Sequence, residues 1–220
     1  MKNNLNTFRH WIFDLDGTLA DTANDIVESL ADTCEQVLGN RPEMDSSWIG
    51  PPLPDMIRRI DPAISQERIT QIVLLFREKY FSSAFPSTRL YPGISDLLSH
   101  LQQQGHSLYV ATNKSLRLAN SVLAKEGILA NFQSVWTSDA MGKNLTKNQM
   151  VKMLLDAHEI PCRETVLVGD NPMDIQAAIM HNIYAVAAGW GYGSRESLEA
   201  QNPDFYCNTV QELAEWVRTR

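Results

Sequence analysis

Trp11-Ile12-Phe13-Asp14-Leu15-Asp16-Gly17-Thr18 is the stretch on which the reading of this chain turns. An apolar, β-type run that ends in two carboxylates and breaks at glycine reads as a buried strand with both acids at its carboxyl end. Open α/β sheets build their sites along that edge. Strand side chains repeat with period two, so Asp14 and Asp16 start on the same side of the chain. Carboxylates held that close repel unless a cation, a shared proton or a hydrogen-bond cage compensates. Such a pair suits chemistry in which one acid attacks a substrate or holds a metal while the other moves protons. Two plainer readings compete. Asp and Gly are ordinary turn residues, and a calcium loop would need glycine at its sixth position, where this chain has Leu19.

Outward from that stretch, the periodicity divides the chain in two. Residues 21–38 read as a helix with Val27, Leu30, Ala31, Cys34 and Leu38 on one face, stopped by Gly39-Asn40-Arg41-Pro42. Gly50-Pro51-Pro52-Leu53-Pro54 is a rigid break, 55–60 at most a short helix, and 65–81 a long one. Nothing between Asp21 and Phe85 reads as a strand. From Tyr91 onward the pattern alternates: helix to Gly105, strand 107–111, helix 115–126, strand 132–137, helix 147–158, strand 165–168, helix 174–180, strand 183–187, strand 205–207 and helix 210–218. Alternation of that kind calls for a parallel sheet with helices on both faces. The expected fold is therefore α/β: a doubly wound, Rossmann-like core made of 1–20 and 86–220, with 21–85 inserted after the first strand as a small helical cap.

The totals suit this architecture. With 220 residues, 44% hydrophobic and 20% charged, the chain can bury a full core. A net charge of −7 argues against nonspecific binding to nucleic acid or to an anionic membrane. It leaves an anionic substrate open, because a bound divalent ion can reverse the potential inside a cleft. The three cysteines, Cys34, Cys162 and Cys207, form no C-x-x-C pair and read as reduced thiols. With neither a signal-peptide pattern nor a membrane-length apolar run, the expected compartment is the cytoplasm. The sequons at Asn113 and Asn144 are then chance matches.

Three expected strand ends carry polar groups: Asp14-x-Asp16, Thr112-Asn113, and Gly169-Asp170 with Asp174 four residues on. In a parallel sheet these ends lie along one edge and can converge. Lys147, opening its helix, supplies a cation. Three carboxylates, a hydroxyl and a lysine at that edge make a coherent metal and phosphate site.

With these residues the chain resembles the haloacid-dehalogenase-like hydrolase superfamily in its phosphatase branch. The motifs are Asp14-Leu15-Asp16-Gly17-Thr18-Leu19, Val110-Ala111-Thr112-Asn113, Lys147, and Gly169-Asp170-Asn171-Pro172-Met173-Asp174, in order across nearly the whole chain. Tyr91-Pro92-Gly93 and Gly189-Trp190-Gly191-Tyr192-Gly193 lean toward phosphoglycolate-phosphatase-like members. The resemblance implies that Asp14 is a nucleophile forming an aspartyl-phosphate, and that Asp16 protonates the leaving group and then activates water. It implies Mg²⁺ held by Asp14, the Asp16 backbone carbonyl and Asp170. Thr112, Asn113 and Lys147 bind phosphoryl oxygens, and Asp174 orients Lys147 or a metal-bound water.

Relatives often read Lys-Pro where this chain has Gly142-Lys143-Asn144-Leu145-Thr146-Lys147. Lys147 is preferred over Lys143 because it opens an amphipathic helix. The dehalogenase branch lacks the acid at Asp16, so carbon–halogen cleavage is not expected. Lys79, the only lysine of the insert, has no surroundings that suggest a Schiff base. His10, His100, His106, His158 and His181 show no zinc-ligand spacing. Arg58 and Arg59 are the candidate readers of a second anionic group on a small phosphorylated metabolite such as phosphoglycolate. Nucleotide monophosphates, pyrophosphate and sugar phosphates remain alternatives, as does a silent phosphate-sensing protein on the same fold.

Overall fold

The structure, a computed structural model, describes residues 8–139 and 145–219. Six parallel strands form one sheet: β1 (His10–Phe13), β4 (Ser107–Thr112), β5 (Ser134–Thr137), β6 (Thr165–Gly169), β7 (Tyr184–Ala188) and β8 (Phe205–Cys207). Their order is β5-β4-β1-β6-β7-β8. β1 is central, and the chain leaves it first toward β4 and β5, then returns toward β6 on the other side. That reversal is the switch point at which doubly wound sheets open a crevice.

Alternation along the strands sorts the core. Trp11, Phe13, Val110 and Val168 belong to one buried cluster, with residues of α4 (Ile94–Gln103), α5 (Leu116–Lys125) and α9 (Val210–Arg218). Ile12, Tyr109, Ala111 and Leu167 belong to the other, with α6 (Lys147–Ala157) and α7 (Pro172–Met180). A short helix α8 (Arg195–Glu199) had no signal in the periodicity.

The helical insert holds α1 (Ala23–Leu38), a 3₁₀ turn at Ser46–Trp48, α2 (Leu53–Ile60) and α3 (Gln66–Ser82). α3 packs on α1 and α2 and reaches α5, where the Arg117 guanidinium lies 3.6 Å from the centre of the Phe81 ring. The two segments joining insert to sheet are not simple linkers. Ala20–Asp21 (β2) and Arg89–Leu90 (β3) pair as a short antiparallel ribbon. Buried Asp25 at the start of α1 accepts from the backbone of Ser87 and Thr88 and from the Thr88 hydroxyl at 2.7–3.1 Å. Lys125 donates to the carbonyls of Phe85 and Thr88 at 2.6 and 2.9 Å.

Candidate active site

Strand register brings the site together. Phe13 pairs with Val110 on one side and with Val168 on the other, so Asp14 follows at the level of Ala111 and Gly169. Thr112 and Asp170 come one residue further along the same edge. β1 stops at Phe13, although the Asp14 amide still donates to Val168 at 2.9 Å. Beyond it the amides of Thr18, Leu19 and Ala20 fold back on the Leu15 carbonyl. Strand alternation therefore ends before Asp16, and the two acids take different partners.

Asp14 accepts from Lys147 Nζ at 2.7 Å. The same ammonium reaches the Ala111 carbonyl at 2.7 Å and Asp174 Oδ1 at 2.8 Å. Lys147 is the first residue of α6, whose start is held by a capping box between Thr146 and Gln149. Lys143 and Asn144 lie outside the described residues. Asp16 Oδ1 instead accepts from Thr22 Oγ1 at 2.6 Å and from Lys114 Nζ at 2.7 Å. Asp174 is the third residue of α7, so its Oδ2 closes a capping box on the Asn171 amide while its Oδ1 faces Lys147.

Asp170 is gripped from two sides. Thr18 Oγ1 donates to Oδ1 at 3.1 Å and the Tyr192 amide to Oδ2 at 2.8 Å. The glycines of both loops make the grip possible. A Cβ on Gly17, at φ +85°, would lie 2.1 Å from Asp170 Oδ2, and one on Gly191 would lie 2.3 Å from the Asp170 Cβ. Trp190 and Tyr192 fasten the glycine-rich loop to the first motif through the Thr18 carbonyl and the Thr22 amide.

Asp14, Asp170 and Asp174 each place a carboxylate oxygen within 4.8 Å of the others, all buried. Lys147 is the only cation that touches this group among the described residues. With all three acids ionised the cluster would carry a net charge of −2. Burial accordingly pushes the Asp14 pKa up to about 7, against the pull of Lys147. Asp170 is raised well above the usual carboxylate range by burial and by its acidic neighbours. Burial disfavours the Lys147 charge, yet Asp14 and Asp174 outweigh it and raise that pKa. Buried hard oxygen donors with an excess of negative charge fit a divalent cation.

A cavity of about 650 Å³ lies between this edge and the insert. Asp14, Asp16, Thr112, Asn113 and Lys114 form its floor; the 50–54 loop, α2 and α3 form its roof. The Thr112 hydroxyl accepts from the Lys114 amide at 3.2 Å. The Asn113 side chain donates to the Gly50 carbonyl at 2.7 Å and so docks the loop of the insert. Arg58 lines the cavity and bonds Asp55 and Gln66 at 2.9 and 3.2 Å. Arg59 is not brought to the cavity: its guanidinium lies 3.9 Å from the centre of the Trp48 ring. Lys79 pairs with Asp32 at 2.7 Å.

Four participants escaped the sequence reading: Thr18, Thr22, Lys114 and Tyr192. Thr18 and Tyr192 stand inside motifs already singled out, and Lys114 directly follows Thr112-Asn113. Residue type alone did not show which way they point.

Fold, edge geometry and acid cluster thus set a buried carboxylate site at the switch point of an α/β sheet, beneath a helical insert. The profile described as haloacid dehalogenase-like hydrolase matches residues 11–188, and the chain belongs to that family. It is 28% identical to a 5'-nucleotidase from Pseudomonas aeruginosa, over 92% of each chain. It is 29% identical to a phosphoglycolate phosphatase from Vibrio parahaemolyticus, over 93% of this chain and 94% of that one. The crystal structure of a predicted phosphatase from Clostridium acetobutylicum superposes with a TM-score of 0.89 at 25% identity, covering 97% of this chain and 99% of that one.

Proposed function

We propose that the protein is a magnesium-dependent phosphatase that hydrolyses a small phosphomonoester through an aspartyl-phosphate on Asp14. The observation that carries this reading is the division of the two acids: Asp14 meets Lys147 and faces the carboxylate cluster, whereas Asp16 stands beside it with its own partners. An Asp14 oxygen attacks phosphorus in line, and the bond to the leaving oxygen breaks as Asp16 delivers its proton there. Asp16 then takes a proton from water, which attacks the same phosphorus and releases the Asp14 carboxylate. Thr112 and the backbone at Asn113 receive phosphoryl oxygens. Lys147 donates to Asp14 and to the Ala111 carbonyl and pairs with Asp174 at 2.8 Å, so it first aims Asp14 and favours its ionised form against burial, and a phosphoryl oxygen reaches the ammonium by displacing one of these partners. Asp14, Asp170 and the Asp16 backbone carbonyl would hold Mg²⁺, with Asp174 behind, and the ion would offset the charge gathered at the phosphoryl group.

Residues 21–85 act as the closing insert over a core of 1–20 and 86–220, excluding bulk water during transfer. The cytoplasm is the proposed compartment, a reading supported by three thiols without disulfide partners. Phosphoglycolate-like metabolites lead the substrate reading, by analogy with the Vibrio relative, with Arg58 as the residue able to meet a second anionic group. A nucleotide monophosphate is the second reading. It is favoured by a cavity of about 650 Å³, well beyond what a two-carbon leaving group fills, and by the Pseudomonas relative.

Phosphate release from a panel of phosphoglycolate, nucleotide monophosphates, pyrophosphate and sugar phosphates, ranked by kcat/KM with and without Mg²⁺, tests the reading. Asp14→Asn should lose several orders of magnitude on every substrate while keeping its fold. Residual activity near wild type in the folded variant would rule out the aspartyl-phosphate.

A further inference from the structure

Lys114, like Lys147, is a buried lysine beside the acid pair, and no step above uses it. Among the described residues its ammonium has a single carboxylate partner, Asp16 Oδ1 at 2.7 Å, and it sits 4.7 Å from the centre of the Tyr80 ring on α3. The lysine is 9% exposed and Tyr80 wholly buried. Burial works against the Lys114 charge, but Asp16 and Tyr80 outweigh it and raise its pKa, so the residue stays cationic. Thr22 donates to the same Oδ1 from the other side at 2.6 Å. Asp16 Oδ2, by contrast, takes no hydrogen bond among the described residues, and Asp16 lines the cavity. One oxygen is thus anchored by two donors, and the other is left without one.

Resting on the phosphatase reading above, we infer that Lys114 is a positioning residue: it pins Asp16 Oδ1 so that Oδ2 faces the leaving oxygen, and its seat on Tyr80 ties that orientation to the docked insert. Two features separate this role from plain core packing. An apolar side chain of equal length would fill the same space between Asp16 and the aromatic ring but would donate nothing to the carboxylate. The ring belongs to the insert and the carboxylate to the sheet, so the ammonium bridges the two parts of the molecule that must come together for turnover. When the insert withdraws, the ammonium loses its aromatic floor, and Asp16 loses a fixed orientation in step with the opening of the cavity.

The test uses kcat/KM, which covers the steps through departure of the leaving group, for aryl phosphates of graded leaving-group pKa and for an alkyl phosphate. A good leaving group needs little help from an acid, and an alkoxide needs much. Lys114→Met should therefore lose at least tenfold more on the alkyl phosphate than on p-nitrophenyl phosphate, and the dependence on leaving-group pKa should steepen. In an Asp16→Asn background the same substitution should cost less than about threefold, because its effect passes through Asp16. Lys114→Arg, which keeps the charge, should recover part of the loss. Equal losses across all leaving groups, or a full additional loss in the Asp16→Asn background, would make Lys114 structural and overturn the inference. Lys114→Leu carries the same comparison if Lys114→Met does not fold. A wild-type protein inactive on every phosphomonoester would instead defeat the phosphatase reading itself.

Discussion

Asp14 and Asp16 are two residues apart, yet each answers to a different ammonium, Lys147 for the first and Lys114 for the second. The separation suits the division of work proposed above, in which one carboxylate attacks as a bare nucleophile and the other exchanges a proton. Asp170 depends on its surroundings as closely as on its own chemistry. Tyr192 reaches Oδ2 because Gly191 leaves no side chain between the loop and the acid. Gly191→Ala should force that loop outward and weaken divalent-metal binding by about ten- to a hundredfold, the usual cost of losing a group that orients a ligand. Calorimetric titration of Mg²⁺ into the folded variant checks this. An affinity equal to wild type would show that the loop does not hold Asp170. The sequence made the acids legible because carboxylates at strand ends are rare and costly. The direction of each side chain was not legible, since it follows from where β1 stops.

At the level of elements, the strands and long helices were readable because hydrophobic periodicity and helix stops are local. Lys147 at the head of α6 was readable for the same reason. The hinge was not. Asp25 stands where a helix-start acid commonly stands, but it is 6% exposed and gathers donors from Ser87 and Thr88, more than sixty residues away. Asp25→Ala would leave those buried donors without an acceptor, at a cost of about 3 kcal/mol. For a chain of this size that is a fall in Tm of roughly 6–12 °C. Differential scanning calorimetry decides the matter, and a change below about 2 °C would mean that water replaces the carboxylate there.

For the molecule as a whole, the acid cluster ties stability to pH and, on the proposed reading, to metal. Asp14 is raised to about 7 by burial, and Asp170 is raised with it. A carboxyl whose folded pKa lies above its unfolded value binds its proton more tightly in the folded state. Its stabilising contribution is therefore full below the ordinary range near 4 and is lost as pH rises toward about 7. Without metal, the protein should melt at a higher temperature at pH 5 than at pH 8. Saturating Mg²⁺ should raise Tm more at pH 8 than at pH 5, because binding favours the ionised acids. Thermal melts in chelator and in Mg²⁺ at the two pH values measure both effects. A metal-free Tm that climbs from pH 5 to pH 8 would contradict the raised carboxyl pKa values of the cluster.

The sequence by itself determined the alternation of strands and helices, the helical insert between Asp21 and Phe85, and the acids, threonine and lysine that meet at one sheet edge. These are consequences of local periodicity, and parallel pairing then aligns the strand ends whatever the rest of the chain does. Tertiary structure alone decided which ammonium serves which carboxylate. It put Arg58 on the cavity wall and Arg59 over Trp48, and it brought Gly191 close enough to Asp170 for a backbone amide to serve as a donor. Such choices turn on ångström-scale distances between residues up to about 170 positions apart. No pattern along the chain encodes those distances, because packing across the sheet and against the insert sets them.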